Sequence, residues 1–598
     1  MRIKVSDYIA QLITEYGITD CFTVVGGGAM HLNDSFGHQK GLRCTYNHHE
    51  QASAIAAEAY FRVNNKMALC CVTTGPGGTN AITGVVGAWL DSIPMLVISG
   101  QVRYDTTARS TNLPIRAMGD QEFDICKAVE CMTKYCEMVT EPEMIKYHLQ
   151  KALYLAKEGR PGPSWLDIPL NVQGAYVDTE NLVSFDCEKE LYLAKDKDIE
   201  KIINRFKSAQ RPVIIAGSAI RTSGAYDSFK ELVDKLGVPV TTCWNSIDLI
   251  ADEHPLYVGR GGIMGDRAGN FAVQNSDFVL SLGSRLSIRQ VGYNFKTWAR
   301  EAFVVAVDID EAELKKPTLH IDLPVCADVK SVIEKLCDSI SAPLNDFSEW
   351  VNTCQGWKKD YPVVLKKHFD DNDRANVYAF IKMLSATLNN DDITVVGNGS
   401  ACVVGSHAYE IKNNSRFIIN SAIASMGYDL PAAIGAARAG DKRIICVSGD
   451  GSIQMNLQEL QTIKTNKLDV KIFVINNAGY HSIRQTQTNL FDAKFVGIGP
   501  DSNDLEFPPL DKLSAAYGID YLRCDSNAEL NEFINNALTK EGAVIAEVFV
   551  STTQNFEPKS SAKKLPDGSL VSPPLEDMAP FLSDEEMDKI MIIPRIKE

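Results

Sequence analysis

Gly449-Asp-Gly-Ser-Ile-Gln-Met-Asn-Leu-Gln-Glu-Leu-Gln-Thr-Ile-Lys-Thr-Asn-Lys-Leu-Asp-Val-Lys-Ile-Phe-Val-Ile-Asn-Asn477 is the stretch whose reading decides the fold. The apolar run before it, Arg443-Ile-Ile-Cys-Val-Ser448, reads as a buried strand, which puts Asp450 in the turn at that strand's carboxyl end. Ligands of α/β sheets bind at that edge. Gly449 and Gly451 let the backbone turn sharply and come close to a bound group. Leu457, Leu460 and Ile463, with polar residues between them, predict a helix, and Val470 to Ile475 a second strand that ends in Asn476-Asn477. One strand–helix–strand unit then returns the amides to the edge that holds the carboxylate.

A carboxylate and an amide oxygen at neighbouring strand ends are hard ligands, suited to Mg²⁺ or Ca²⁺ and not to zinc, which takes Cys or His. Mg²⁺ keeps few protein oxygens and completes its octahedron with water and a phosphorylated ligand, so the pair implies a diphosphate. Gly-Asp-Gly alone is an ordinary turn. With 24 residues between it and Asn476-Asn477, it resembles the diphosphate-binding signature of thiamine diphosphate (ThDP) enzymes. The resemblance implies Asp450, Asn477 and the carbonyl of Gly479 as ligands of Mg²⁺, with Gly399, Ser400, Gly449, Gly451, Ser452 and Tyr480 about the cofactor.

A chain of 598 residues exceeds one core and divides into roughly three or four domains, and 45% apolar residues is a soluble globular composition. No apolar run approaches the roughly 18 residues needed to cross a bilayer. The start, Met1-Arg-Ile-Lys-Val-Ser-Asp-Tyr-Ile-Ala10, passes straight into a helical pattern without a secretory signal, so a cytoplasmic location is expected. Fifteen scattered cysteines argue against a disulfide framework. Cys126, Cys131 and Cys136 are spaced so that on a helix they splay around the axis, and they read as packing residues. The net charge of −16 disfavours nucleic acid and anionic membrane as partners.

In the N-terminal third, a strand from Cys21 to Val25 runs into Gly26-Gly27-Gly28, and Tyr46-Asn-His-His-Glu-Gln-Ala-Ser-Ala-Ile-Ala-Ala-Glu-Ala-Tyr60 reads as an alanine-rich helix with Glu50 in its first turn. By itself that glutamate is a good dipole partner. In the ThDP family, a glutamate in this H-E-x-A setting hydrogen-bonds the cofactor's aminopyrimidine and favours its imino tautomer, which takes the proton from the thiazolium carbon; the resemblance makes Glu50 that residue. Gly75-Pro-Gly-Gly-Thr-Asn80 resembles the family's loop that lines the pyrimidine site, bringing in Gly26, Gly27, Gly75 and Asn80. Gly119-Asp-Gln-Glu122 resembles the segment of acetolactate synthase-like enzymes whose glutamine faces the donor, hence Gln121; a solvated turn is the alternative.

A charged stretch near Glu188 to Lys197 reads as a linker to a second α/β pattern, which lacks the G-x-G-x-x-G spacing. Acetolactate synthases that keep a flavin hold it against this domain. The corresponding segments here contain Gly262, Arg285 and Asp308, which makes FAD an expected ligand, with a flavin-free spacer as the alternative. In Ala424-Ser-Met-Gly-Tyr-Asp-Leu-Pro431, the resemblance makes Ser425 a cofactor contact and Met426 the apolar wedge that bends the cofactor. His481 and Arg484 are candidates to meet a substrate oxygen, against the alternative of exposed polar loop residues. Thr486 stands where anabolic acetolactate synthases carry a tryptophan, which puts a preference for 2-ketobutyrate as acceptor in doubt. The proline-broken segment Leu565 to Met578 either covers the active site as a lid or lies along the surface.

The expectation is an α/β chain of three doubly wound parallel-sheet domains: 1–180 pyrimidine-binding, 195–340 central and Rossmann-like, 360–555 diphosphate-binding, then a 556–598 tail. The resemblance implies an acetolactate synthase-like carboligase that decarboxylates a 2-oxo acid, most simply pyruvate, and transfers the two-carbon unit to a second carbonyl. It implies a homodimer at minimum and a homotetramer as the fuller assembly. The alternatives are a branched-chain sugar synthase with a keto-sugar nucleotide acceptor, a 2-oxo acid decarboxylase or C–C hydrolase, and an inactive regulatory homologue.

Overall fold

In the computed structural model, residues 2–188, 190–370, 373–564 and 568–596 are described. Three six-stranded sheets follow one another along the chain, every strand pair in them parallel. This is the α/β architecture that the alternating strand and helix patterns predict. The first sheet runs Arg43–Tyr46, Asp20–Thr23, Leu69–Val72, Met95–Gln101, Pro163–Pro169, Tyr135–Met138. The third runs Arg416–Ile419, Ile393–Val396, Ile444–Gly449, Val470–Asn476, Val544–Phe549, Asp520–Cys524, so the two share the strand order 2-1-3-4-6-5. The middle sheet, from Tyr257–Arg260 through Pro212–Ala216 to Leu323–Cys326, has the order 3-2-1-4-5-6 used by dinucleotide-binding sheets.

Small residues bring the first and third units together. The helices Glu50–Asn64, Pro76–Leu90 and Asp429–Arg438 pack into one core with both sheets. A Cβ on Gly435 would overlap the carbonyl of Ala56, and one on Gly84 would lie 2.6 Å from the Ala54 Cβ. The alanine run of the Glu50 helix thus lets backbones approach more closely than larger side chains allow. A buried ionic group locks the same seam: Arg62 Nε donates to Glu58 Oε1 at 2.7 Å, Arg62 Nη2 to Asp91 Oδ2 at 2.8 Å, and Tyr428 Oη to Glu58 Oε2 at 2.9 Å.

Of the proline-broken segment, Leu565–Asp567 lie outside the described residues, Leu570 is exposed in the short strand Leu570–Val571, and Leu575 and Met578 are buried. Leu575, Met587, Ile590, Met591 and Ile593 are buried in the central unit against Phe271, Trp298, Trp350 and Trp357. Each such side chain contributes about 1.5–3 kcal/mol as an upper bound. Polar ties accompany them: Gln274 Nε2 donates to Glu576 Oε2 at 2.5 Å, Arg300 pairs with Glu576 at 2.9 Å, and Ile592 N donates to Asn275 Oδ1 at 2.7 Å. The cysteines also depart from a single helix. Cys126 is helical, Cys131 lies in a short 3₁₀ turn and Cys136 is on the strand Tyr135–Met138. All fifteen are free thiols.

Candidate active site

Three neighbouring strands of the third sheet, Ile393–Val396, Ile444–Gly449 and Val470–Asn476, end at one edge, and the strand order reverses between the first two. That reversal opens a crevice where α/β sheets hold ligands. After the first strand, Gly399 at φ 92° starts the helix Ser400–Ala408, whose N-terminal amides face this edge. Asp450 follows the second strand and Asn477 the third.

Asp450 is 5% exposed, its Oδ2 accepting from Gly479 N at 2.8 Å and its Oδ1 from Gly451 N at 3.0 Å. Burial pushes its pKa up to about 7 in spite of those two donors. Asn477 Nδ2 donates to Ser400 Oγ at 2.8 Å, which leaves its Oδ1 buried with no hydrogen-bond partner. A buried amide oxygen left unpaired costs about 1–3 kcal/mol. A divalent cation answers both features, giving the amide oxygen a partner and holding Asp450 as its carboxylate. The residues therefore fit Mg²⁺ with a diphosphate. Among the described residues no cluster of three or more His, Cys, Asp or Glu is placed to hold a metal.

The chain around these ligands is tightly constrained. Ala478 sits at φ 55° and Gly479 at φ 123°, and a Cβ on Gly479 would overlap the carbonyl of Ile498, which accepts from Tyr480 N at 2.7 Å. The Tyr480 ring covers Gly451, where a Cβ would strike it, and stands edge-on to Phe507 at 5.6 Å. Gly449, with open space around its Cβ position, presents bare backbone.

The Gly-Asp-Gly loop also fixes Met426. Gly427, at φ 73°, donates from its N to Ser452 Oγ at 3.0 Å, and its carbonyl accepts from Asn456 Nδ2 at 2.8 Å. Ser452 Oγ in turn donates to the buried Asp429 Oδ2 at 2.8 Å, while Ser425 Oγ donates to Met426 O at 2.9 Å. Asn456 and Asp429 carry no signal in the sequence beyond helix-start residue types. Their role is visible only once the turn at Gly427 is placed.

In the first unit, Glu50 opens its helix and its Oε2 accepts from Asn80 Nδ2 at 3.0 Å. Gly75, at φ 61°, lies so close to Gln121 that a Cβ would overlap the Gln121 carbonyl; Gln121 itself is exposed at φ 59°. Gly26 packs against Thr73 and its N donates to Asn33 Oδ1 at 3.2 Å, whereas Gly27 has open space. The structure thus brings Gly26, Gly75 and Gln121 around one turn, with Glu50 and Asn80 joined to each other. Among the described residues no hydrogen bond joins Glu50 to Asp450, Asn477 or Met426. The Glu50 helix and its entry turn instead reach the third unit through Asn456 Nδ2, which also donates to Gln51 Oε1 at 2.8 Å, and through Glu459, whose carboxylate accepts from Asn47 Nδ2 and His48 N, each at 2.9 Å.

His481 and Arg484 lie in the helix His481–Leu490 instead of an exposed loop. His481 is buried edge-on to Phe556 at 5.3 Å, and its Nε2 donates to Gln554 O at 2.7 Å. Burial lowers its pKa, and the hydrogen bond turns it from the cleft into the protein. Arg484 is likewise bound to backbone carbonyls, and Thr486 is exposed, donating to Ser482 O at 3.1 Å.

A second cavity, of about 680 Å³, opens at the carboxyl ends of Pro212–Ala216 and Phe278–Leu282, where the middle sheet's order reverses. Arg285, Arg289, Asp308 and Gln290 line it. Burial raises the Asp308 pKa to about 6, and Gln290 Nε2 and Asp91 Oδ1 are buried here without partners. Arg285 Nη1 donates to Leu90 O at 3.0 Å across the gap between units. Gly262 shapes the rim instead of lining it, since its N donates to Asn270 Oδ1 at 2.8 Å and a Cβ would overlap the carbonyl of Arg289.

Three sequence families match in the same order as the three sheets. Residues 3–127 match "Thiamine pyrophosphate enzyme, N-terminal TPP binding domain", 199–336 the central domain and 397–548 the C-terminal TPP binding domain. The chain is 30% identical over 556 residues to the acetolactate synthase large subunit of Lactococcus lactis subsp. lactis (strain IL1403), covering 92% of this chain and 93% of that one. It is 29% identical over 575 residues to the Cyanidium caldarium acetolactate synthase large subunit, covering 92% and 94%. To the acetolactate synthase isozyme 1 large subunit of Escherichia coli (strain K12) it is 28% identical over 564 residues, covering 93% and 96%. With all three domains in register and near-complete coverage of its relatives, the chain belongs to the thiamine diphosphate-dependent, acetolactate synthase-like enzyme family.

Proposed function

We propose that this enzyme is a Mg²⁺-dependent carboligase that decarboxylates a 2-oxo acid, most simply pyruvate, and passes the two-carbon unit to a second carbonyl. The observation that carries it is the unpartnered Asn477 amide oxygen beside a buried Asp450 at the crevice edge. Asp450, Asn477 and the Gly479 carbonyl would hold the cation, and Gly449, Gly451, Ser452 and the Ser400 helix N-terminus the diphosphate. Bound there, ThDP supplies the electron sink that decarboxylation and carbon–carbon bond formation require. Glu50, steadied by Asn80, holds a proton against the pyrimidine nitrogen. Met426, fixed at the Gly427 turn, would be the apolar residue packed against the bound cofactor, as in the family it resembles. Gln121 faces the donor from the Gly75 turn. His481 is left out of this set because its ring is committed to Gln554.

FAD is proposed for the central cavity, supported by the 3-2-1-4-5-6 sheet order, the basic lining of Arg285 and Arg289, and Asp308 at a strand end where a ribose hydroxyl would bind. A band near 450 nm in the purified protein is the expected sign. A homodimer at minimum, with a tetramer as the fuller form, is proposed on the family resemblance, in which the pyrimidine-binding domain of one subunit faces the diphosphate-binding domain of another; sedimentation tests this. Fifteen free thiols support a reducing compartment such as the cytoplasm. No helix among the described residues is long and apolar enough to cross a membrane.

Carboxyl-labelled pyruvate tests the activity. CO₂ release that requires both ThDP and Mg²⁺, with acetolactate as product, is expected. Free aldehyde as the product, or no release, would overturn it.

A further inference from the structure

Arg484 reads in the sequence as a polar residue near the site, yet its side chain touches neither crevice nor solvent to any extent; it is 5% exposed. It sits in the first turn of the helix His481–Leu490, and its guanidinium folds back over the helix start. Nη1 donates to Asn477 O at 2.8 Å and Nη2 to Ala478 O at 2.7 Å. Asp501, half exposed, neutralises it from outside at 3.2 Å. Two successive carbonyls are thus gripped by one planar fork, a geometry that a lysine ammonium does not reproduce.

Those carbonyls flank the proposed metal ligands. Tying them down fixes the peptide planes on both sides of Ala478, a non-glycine residue held in the left-handed region at φ 55°. It also leaves Asn477 with its Nδ2 on Ser400 and its Oδ1 free, and Gly479 with its N on Asp450. The fork adds to the turn's other ties, from Ala478 N to Asn476 Oδ1 at 3.0 Å and from Gly479 N to Asp450 Oδ2 at 2.8 Å, in holding Ala478 at positive φ between the two ligand-bearing residues.

We propose that Arg484 is a positioning residue that holds the Asn477–Gly479 turn in its cation-binding shape, acting through the backbone and touching neither cation nor substrate. This rests on the proposal that the turn binds Mg²⁺. Residues that orient metal ligands typically contribute roughly 10- to 100-fold to metal affinity.

The test titrates Mg²⁺ into cofactor-free protein at fixed ThDP, following binding by calorimetry, for the wild type, Arg484→Lys and Arg484→Gln. Both variants keep a donor for one carbonyl, and thermal unfolding of the cofactor-free protein shows which of them is folded. A rise of about tenfold or more in the Mg²⁺ half-saturation is expected in the folded variants. Ala478→Gly carries the test a second way. Glycine accepts positive φ without strain, so it should restore part of the Mg²⁺ affinity in the Arg484→Lys background. Wild-type half-saturation in Arg484→Lys or Arg484→Gln, or no recovery on adding Ala478→Gly, overturns the inference. Absence of any Mg²⁺-dependent ThDP uptake by the wild type would instead overturn the functional reading on which it rests.

Discussion

Replacing Gly479 with alanine should separate cofactor binding from folding. The residue stands at φ 123°, outside the left-handed region that other residues enter at modest cost, so an alanine in its place carries about 1–3 kcal/mol of backbone strain. Its Cβ would overlap the Ile498 carbonyl, which must retreat and give up the 2.7 Å hydrogen bond from Tyr480 N, adding about 1–3 kcal/mol for a buried group left unpaired. The turn escapes both costs by moving, and its motion carries away the Gly479 amide that Asp450 accepts and the Asn477 oxygen next to it. If about 3–4 kcal/mol must be recovered on binding, the affinity for ThDP with Mg²⁺ falls by roughly 10²- to 10³-fold. Calorimetric titration of the variant measures this directly. Gly17→Ala is the control, since Gly17 has φ 85° with open space around it and lies in another unit, so it shares the strain without the loop. Wild-type cofactor affinity in Gly479→Ala, or an equal loss in Gly17→Ala, would refute the reasoning.

Glu50→Gln should keep ThDP affinity within a few-fold and slow exchange of the cofactor's C2 proton by about 10²- to 10⁴-fold, read by deuterium exchange and NMR. Arg62→Met leaves Glu58 and Asp91 buried without their cation and should cost about 3–5 kcal/mol, seen as early unfolding in a thermal scan. Asp167 is fully buried, and burial raises its pKa to about 7 against the opposing donors of Ser99 and Gln101. Its folded pKa lies above its unfolded one, so its contribution is complete below about pH 4 and is lost as pH rises through about 7. Relative to Asp167→Asn, the wild type should lose on the order of 4 kcal/mol between those limits, measured as a shrinking difference in Tm.

The α/β order was legible because apolar runs and the glycines that end them recur along the whole chain, and the structure places a parallel sheet under each group. The Gly-Asp-Gly and Asn-Asn pair was legible as two ends of adjacent strands, since register follows from one strand–helix–strand unit. His481 and Arg484 escape a sequence reading because a polar residue after a turn looks solvated there. Their partners, Gln554 O and the carbonyls of Asn477 and Ala478, are backbone atoms, which leave no trace in residue identity. The tail's burial was hidden for a related reason. Prolines break its pattern, and its apolar residues find their surface only on a unit some 300 positions earlier, as the tie between Ile592 and Asn275 records.

The central claim is that one divalent cation is clamped between two adjacent strand ends. Crystals grown with ThDP and Mn²⁺ in place of Mg²⁺ locate the ion by its anomalous signal. A single peak about 2 Å from an Asp450 carboxylate oxygen, Asn477 Oδ1 and the Gly479 carbonyl is expected. A peak elsewhere, or ThDP bound with no ion between these residues, would contradict the account.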